Sequence, residues 1–211
     1  WLFSLLMLQA LLCSSWLLGQ TEEVRPQLWN NLLVGWEIDD HFRLRGELSY
    51  NVLITDTVPW SELTSAASGV YRFHRFMETS AGFYFSAANQ NEDLRSLELR
   101  PFMGFTVFTN NSKRWMVSNF SKLEIRTFRY SDLSKDIALR FRNRTYAIVS
   151  LNKRSILEDR NVMLFGYFEA FYNFEKEVRE RFFNQFKYKL GFGYRHNFSW
   201  RVTLGMIYQD A

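Results

Sequence analysis

An all-β fold, a transmembrane antiparallel up-and-down β-barrel of about ten to twelve strands, is what this sequence predicts, and three observations predict it. The first is alternation. Phe198, Trp200, Val202, Leu204, Met206 and Tyr208 form one row, and Ser199, Arg201, Thr203, Gly205, Ile207 and Gln209 form the interleaved row. Side chains of a strand point alternately to its two faces, so one face is apolar and the other largely polar. The second is composition: the chain is 47% hydrophobic and 18% aromatic, yet its mean hydropathy is −0.25, so apolar residues are interspersed with polar ones. The third is an apolar N-terminal stretch, Leu2 to Leu18, broken by Ser4, Gln9, Cys13, Ser14 and Ser15 and followed by Gly19 and Gln20. It has the make-up of a secretory signal's apolar region and cleavage zone.

Residues 1–19 are accordingly read as a partial signal peptide and residues 20–211 as one outer-membrane barrel domain, since no Gly/Pro/Ser-rich linker divides the 211 residues. The leader begins at Trp1 without Met or a basic segment, which reads as a fragment at its start. A transmembrane anchor is the rival, but the run is at the short end for spanning and strands follow soon after. Cys13 is the single cysteine and Leu12 precedes it, where a lipoprotein signal wants a small residue. Cleavage near Gly19 leaves a mature chain without a thiol, suited to an oxidising periplasm.

The first strand runs from Leu28 to Ile38 and turns at Asp39 and Asp40. The second is the cleanest, with Phe42, Leu44, Gly46, Leu48, Tyr50 and Val52 on one face and Arg43, Arg45, Glu47, Ser49 and Asn51 on the other. A polar connection from Thr55 to Glu62 leads to strands at Ala67 to Phe73 and Met77 to Ala87, joined by a tight turn at His74 and Arg75. Beyond a loop at Asn89 to Asp93 come Leu97 to Val107, Trp115 to Phe128, Leu139 to Val149, Met163 to Tyr172, Phe182 to Tyr194 and Phe198 to Tyr208. Asn110 to Lys113 and His196 to Asn197 carry turn residues. Helices fit poorly, because strict alternation smears apolar residues around a helical surface. Pro101 lacks a ladder donor and so predicts a bulge or a strand end. The short turns follow odd-numbered strands, which would start the first strand outside the cell if short turns are periplasmic.

Energy decides which face looks outward. Each of Arg43, Arg45, Arg140, Arg142 and Arg144 would cost about 2–4 kcal/mol near the midplane of a lipid-facing surface, so in a membrane these residues face the lumen. A soluble barrel would invert the faces, but small barrels alternate small and large residues inside, and the row Phe186, Tyr188, Leu190, Phe192, Tyr194 is bulky throughout. The lumenal set is Arg43, Arg45 and Glu47; Glu98 and Arg100; Lys122, Glu124 and Arg126; Arg140, Arg142 and Arg144; Glu169; Lys187, Lys189 and Arg195; and Arg201. As a structural ladder, Arg forks onto Glu from neighbouring strands and fills a narrow barrel with paired charge. As a pore, the cationic surplus attracts small anions; near the rim the same arginines suit lipopolysaccharide phosphates. Net charge is +4, but the basic residues are spread strand by strand instead of forming the patch that nucleic acid needs.

Glu98-Leu99-Arg100, Lys122-Leu123-Glu124-Ile125-Arg126, Arg140-Phe141-Arg142-Asn143-Arg144, Phe168-Glu169-Ala170-Phe171 and the run from Asn184-Gln185-Phe186 through Gly191-Phe192-Gly193-Tyr194-Arg195 to Gly205-Met206-Ile207-Tyr208-Gln209 carry a resemblance. From Leu28-Trp29 onward the chain resembles the bacterial family catalogued as domain of unknown function 2490. The resemblance implies an outer-membrane barrel of Gram-negative bacteria, assembled by the barrel assembly machinery and surrounded by lipid and lipopolysaccharide, with no catalytic residues to carry over. Such proteins usually continue with a further strand, so the stop at Ala211 reads as a clipped C-terminus.

Catalysis has little support. Some small outer-membrane barrels modify lipids with a Ser–His pair, but His41, His74 and His196 fall in or beside turns, and three residues of extended strand put His196 and Ser199 on opposite faces. Glu98, Glu124 and Glu169 each have Arg or Lys at hand and read as salt-bridge partners. No Gly-rich loop leads from a strand into a helix, and no cofactor or metal is expected. The sequence thus predicts a non-enzymatic barrel, structural or narrowly anion-conducting, against a lipid-modifying enzyme or a soluble periplasmic ligand-binding barrel.

Overall fold

The computed structural model describes residues 27–53, 60–89, 94–109, 114–174 and 186–210. Alternation at period two persists through ten strands: β1 (Gln27–Glu37), β2 (Phe42–Leu53), β3 (Ser61–His74), β4 (Met77–Asn89), β5 (Arg95–Phe108), β6 (Trp115–Tyr130), β7 (Lys135–Ser150), β8 (Asn161–Asn173), β9 (Phe186–Arg195) and β10 (Arg201–Asp210). Each pairs antiparallel with the next, giving one up-and-down sheet in the order β1 to β10 with no helix among the described residues. The sheet curls into a half-barrel with β1 and β10 at its lateral edges. Its inner faces meet across the curl, where the Lys187 Nζ of β9 lies 4.4 Å from the Trp29 ring centroid of β1.

The two faces of the sheet differ in chemistry. Along β6, Lys122, Glu124, Arg126, Phe128 and Tyr130 are buried on the concave side, while Leu123 and Ile125 between them are exposed on the convex side. The same holds in β4, where Phe83 is 62% exposed and Glu78, on the other face of the strand, 5%. The bulky row of β9 and β10 lies on the outside, with Leu190 59% and Leu204 81% exposed. Charge is therefore enclosed and hydrocarbon displayed.

Several expected boundaries move. β3 begins at Ser61, six residues before the expected Ala67, because Ser61, Glu62, Thr64 and Ser65 are too small or polar for their alternation to show. The tight turn is Arg75–Phe76, with His74 ending β3 after a register shift between Arg72 and His74. β7 starts at Lys135 instead of Leu139. The leader, the connections at 54–59, 90–93 and 110–113, and the start of the expected ninth strand at Phe182 lie outside the described residues.

Pro101 makes neither the bulge nor the strand end expected of it. It sits inside β5, opposite Phe83 of β4. Pairing with β6 lapses at Arg100 and Pro101 and resumes in the same register, Leu99 opposite Thr127 and Phe102 opposite Glu124. The absent N–H therefore removes local pairing on one side without displacing the strand. Elsewhere turn chemistry follows the sequence: the Asp39 carboxylate accepts the N–H groups of His41 and Phe42, both at 2.7 Å, and Asn197 Oδ1 accepts those of Ser199 and Trp200, both at 3.0 Å.

Close approach fixes several glycines, Gly82, Gly104 and Gly191 among them. Gly191 faces Gly205 across the β9–β10 ladder, and a Cβ there would fall 2.7 Å from Gly205 Cα and 2.8 Å from the Phe165 ring. Gly191→Val is expected to destabilise the sheet by about 1–3 kcal/mol through overpacking, seen as a lower guanidinium midpoint followed by tryptophan fluorescence.

Candidate functional site: the charged interior

Three carboxylates anchor one wall of the interior, each at an inward position of a different strand. Glu98 of β5 is gripped by two guanidinium groups: Arg100 Nε and Nη2 lie 2.8 and 2.5 Å from its two oxygens, and Arg126 Nε and Nη2 lie 2.5 and 3.0 Å from them. Glu124 of β6 is fully buried and takes Lys122 Nζ at 2.6 Å, Arg140 Nη2 at 2.7 Å and Arg142 Nη1 at 3.2 Å. Glu169 of β8 takes Arg142 Nη2 at 2.5 Å and Arg144 Nη2 at 3.0 Å. Arg142 thus bridges β6 and β8 from the strand between them. Register makes this possible, since Glu124 stands opposite Arg140 and Arg144 opposite Glu169. Cross-strand neighbours on one face lie within reach of long side chains, and the forked guanidinium suits a carboxylate held in place.

The opposite wall has its own anchor, which the sequence reading did not single out. Glu78 of β4 receives Arg43 Nη2 at 2.6 Å, Arg45 Nη2 at 3.5 Å and Arg72 Nη2 at 3.9 Å. Towards the other end of β3 and β4, Glu62 of β3, opposite Ala88, accepts hydrogen bonds from the Ser86 hydroxyl at 2.7 Å and the Asn51 amide at 3.3 Å. The signal was available: Glu78, Ser80, Gly82, Tyr84, Ser86 and Ala88 form the polar row that alternates with Met77, Thr79, Ala81, Phe83, Phe85 and Ala87.

Aromatic rings also line the inside, which the sequence reading assigned mainly to the outer face. Lys122 lies 4.5 Å from the Phe102 centroid, Arg142 4.9 Å from Phe171, Arg144 4.7 Å from Tyr167 and Arg126 4.6 Å from Phe128. Lys187 and Lys189 take part in no ion pair among the described residues, although Glu169 stands opposite Lys187 across β8–β9; their ammonium groups approach the Trp29 and Phe165 rings. A ring face adds to their stabilisation, because its quadrupole attracts a cation.

These side chains border a central cavity of about 790 Å³. Eleven Arg and Lys side chains face it, among them Lys189 and Arg201, against the three carboxylates Glu47, Glu62 and Glu78. Glu98, Glu124 and Glu169 lie behind their cationic partners, close to the wall. The space a solute would occupy is therefore more cationic than the lumenal inventory as a whole. Arg195 stands apart: it faces Arg201 across β9–β10 at the strand ends, with no ion pair to either among the described residues, an arrangement of like charges that an anion would relieve. On the same end the connection 151–160 folds inward, so that Ile156 packs on Ile148, Met163 and Phe165. It is pinned by the Ser150 hydroxyl donating to Asn161 Oδ1 at 2.8 Å and by the Asn161 amide donating to Ser155 O at 2.9 Å.

The structure brings together Arg43 and Arg45 on one wall and Glu98, Arg100, Lys122, Glu124, Arg126, Arg140, Arg142, Arg144 and Glu169 on the other; Glu47, Lys187, Lys189 and Arg201 line the cavity, and Arg195 joins neither group. The three histidines stay apart: His41 stacks on Tyr71, the His74 Nδ1 at the end of β3 accepts the Phe76 N–H at 3.3 Å, and His196 lies beside Tyr194.

The model of the protein family of unknown function DUF2490 matches residues 26–211. The chain belongs to this family. That match spans every described strand of the DUF2490 sheet and the whole charged interior. No curated protein and no solved structure matches the chain.

Proposed function

We propose that this DUF2490 chain is an integral outer-membrane barrel, exported through the periplasm, that performs no catalysis and gives small anions a narrow passage through its charged lumen. The observation that carries the reading is the division of faces: exposed apolar rows such as Leu190, Phe192, Val202 and Leu204 outside, and enclosed ion pairs within. Hydrocarbon solvates the first, and a wet interior the second. The cationic excess around the cavity supplies the field that selects anions, and Arg195 with Arg201 at the rim suits phosphate groups of lipopolysaccharide.

The test is bilayer conductance of the full-length protein. An anion-favouring current is expected, and its selectivity falls when Lys187, Lys189 and Arg201 become Gln. These three border the cavity without an ion pair among the described residues, whereas Arg140, Arg142 and Arg144 also clamp Glu124 and Glu169, so their loss would disturb the wall itself. Electrical silence selects the second reading, a structural barrel, which the inward-folded Ile156 connection favours. Altered lipid A mass on expression would replace both with a lipid-modifying enzyme. Recovery in the aqueous fraction after cell breakage without detergent would replace them with a soluble ligand-binding barrel.

A further inference from the structure

On β6 and β7 the apolar convex surface gives way, mid-strand, to a hydrogen-bonded polar patch. Ser118, Phe120 and Lys122 of β6, and Arg142, Arg144 and Tyr146 of β7, line the cavity. Alternation therefore puts Asn119, Ser121, Asn143 and Thr145 on the outside. These four side chains join across the two strands: Asn119 Nδ2 donates to Asn143 Oδ1 and to Thr145 Oγ1, both at 3.0 Å, and Asn143 Nδ2 donates to Asn119 Oδ1 at 3.0 Å and to Ser121 Oγ at 2.9 Å. Along the same rows the flanking outer residues are apolar, Trp115, Leu123 and Ile125 on β6 and Ile137 on β7, all exposed.

We propose that this patch is the contact surface of a dimer, in which a second copy of the chain docks on β6–β7 within the bilayer. The inference rests on the membrane reading above. The amide protons are consumed inside the patch, which lets the barrel fold with these residues facing outward. The Ser121 and Thr145 hydroxyl protons and the second lone pair of each amide oxygen remain to be matched, and acyl chains offer neither donor nor acceptor. A partner has to present both kinds of group at the same depth. A second copy does so by symmetry: a two-fold axis along the membrane normal sets identical patches at one height, and a surface that holds unused donors and acceptors together is complementary to itself.

The test uses the full-length protein carrying Cys13→Ser, so that an introduced thiol is alone. Ala147→Cys sits on the outer face of β7 beside the patch, and Phe83→Cys on the outer face of β4, away from it. Oxidation in membranes is expected to give a species of twice the chain mass from A147C and not from F83C. Asn119→Leu with Asn143→Leu, a change that hydrocarbon tolerates, is expected to weaken dimerisation by about tenfold in detergent sedimentation. Equal cross-linking of A147C and F83C, an A147C adduct of any other mass, or an unchanged dimer in the double variant overturns the proposal. A monomer recovered in the membrane fraction overturns it alone; recovery in the aqueous fraction overturns the membrane reading and this inference with it.

Discussion

Glu124→Gln is expected to destabilise the sheet by about 3–5 kcal/mol, the range for removing one partner of a buried ion pair. Glu124 is fully buried and is the carboxylate that both Lys122 and Arg140 reach within ion-pair distance among the described residues. The amide removes the negative charge and leaves both cations enclosed, while Arg142 keeps Glu169. The consequence is an uncompensated charge and not merely a lost attraction, which is why the expected loss exceeds that of an exposed pair. Glu47→Gln is the comparison: Glu47 borders the cavity outside any ion pair among the described residues, and a change below about 1 kcal/mol is expected there. Urea or guanidinium midpoints in detergent or liposomes give both values. Lys122→Met added to Glu124→Gln should recover part of the loss, because the two groups share one interaction. Equal effects of E124Q and E47Q would remove the buried network as the stabiliser of this wall.

Leu190→Arg is expected to cost about 2–4 kcal/mol in a bilayer, against a loss below about 1 kcal/mol for Ser68→Arg. Leu190 lies mid-strand in β9 on the convex face, 59% exposed, and Ser68 borders the cavity. By exposure to water alone, Leu190 is the safer place for a charge. The lipid reading reverses that order, because hydrocarbon cannot hydrate a guanidinium group and the lumen can. Refolding into liposomes, followed by denaturant titration, measures the difference. An L190R chain as stable as S68R, or more soluble without detergent, would mean that water and not lipid bathes the outer face.

The all-β class, the antiparallel order and the two faces of nearly every strand were legible because a period of two is a local property: each residue's face is fixed by its neighbours'. Strand limits were legible only where large side chains mark the alternation, so the start of β3 at Ser61, among Ser, Glu and Thr, was not. Pro101 misled for a related reason. The chain alone says that a donor is missing, but which neighbour would have received it depends on the sheet.

The candidate site divides the same way. That Arg140, Arg142, Arg144, Glu124 and Glu169 share the polar face of their strands follows from alternation. Which cation meets which carboxylate does not, because register between strands is set by pairing over their whole length. Nor does the role of Glu78, which gathers Arg43, Arg45 and Arg72 from two other strands.

By itself, then, the sequence determined the strands, their faces and the excess of positive charge, all quantities summed along the chain. Only the tertiary structure decided that the three buried carboxylates sit behind their cations and that aromatic rings approach the Lys187 and Lys189 ammonium groups. It also placed Ile156 inside one mouth and an amide cluster on the outer wall. Each of these depends on how far the sheet curls and how its strands align, and those distances between remote residues are set when the strands pack.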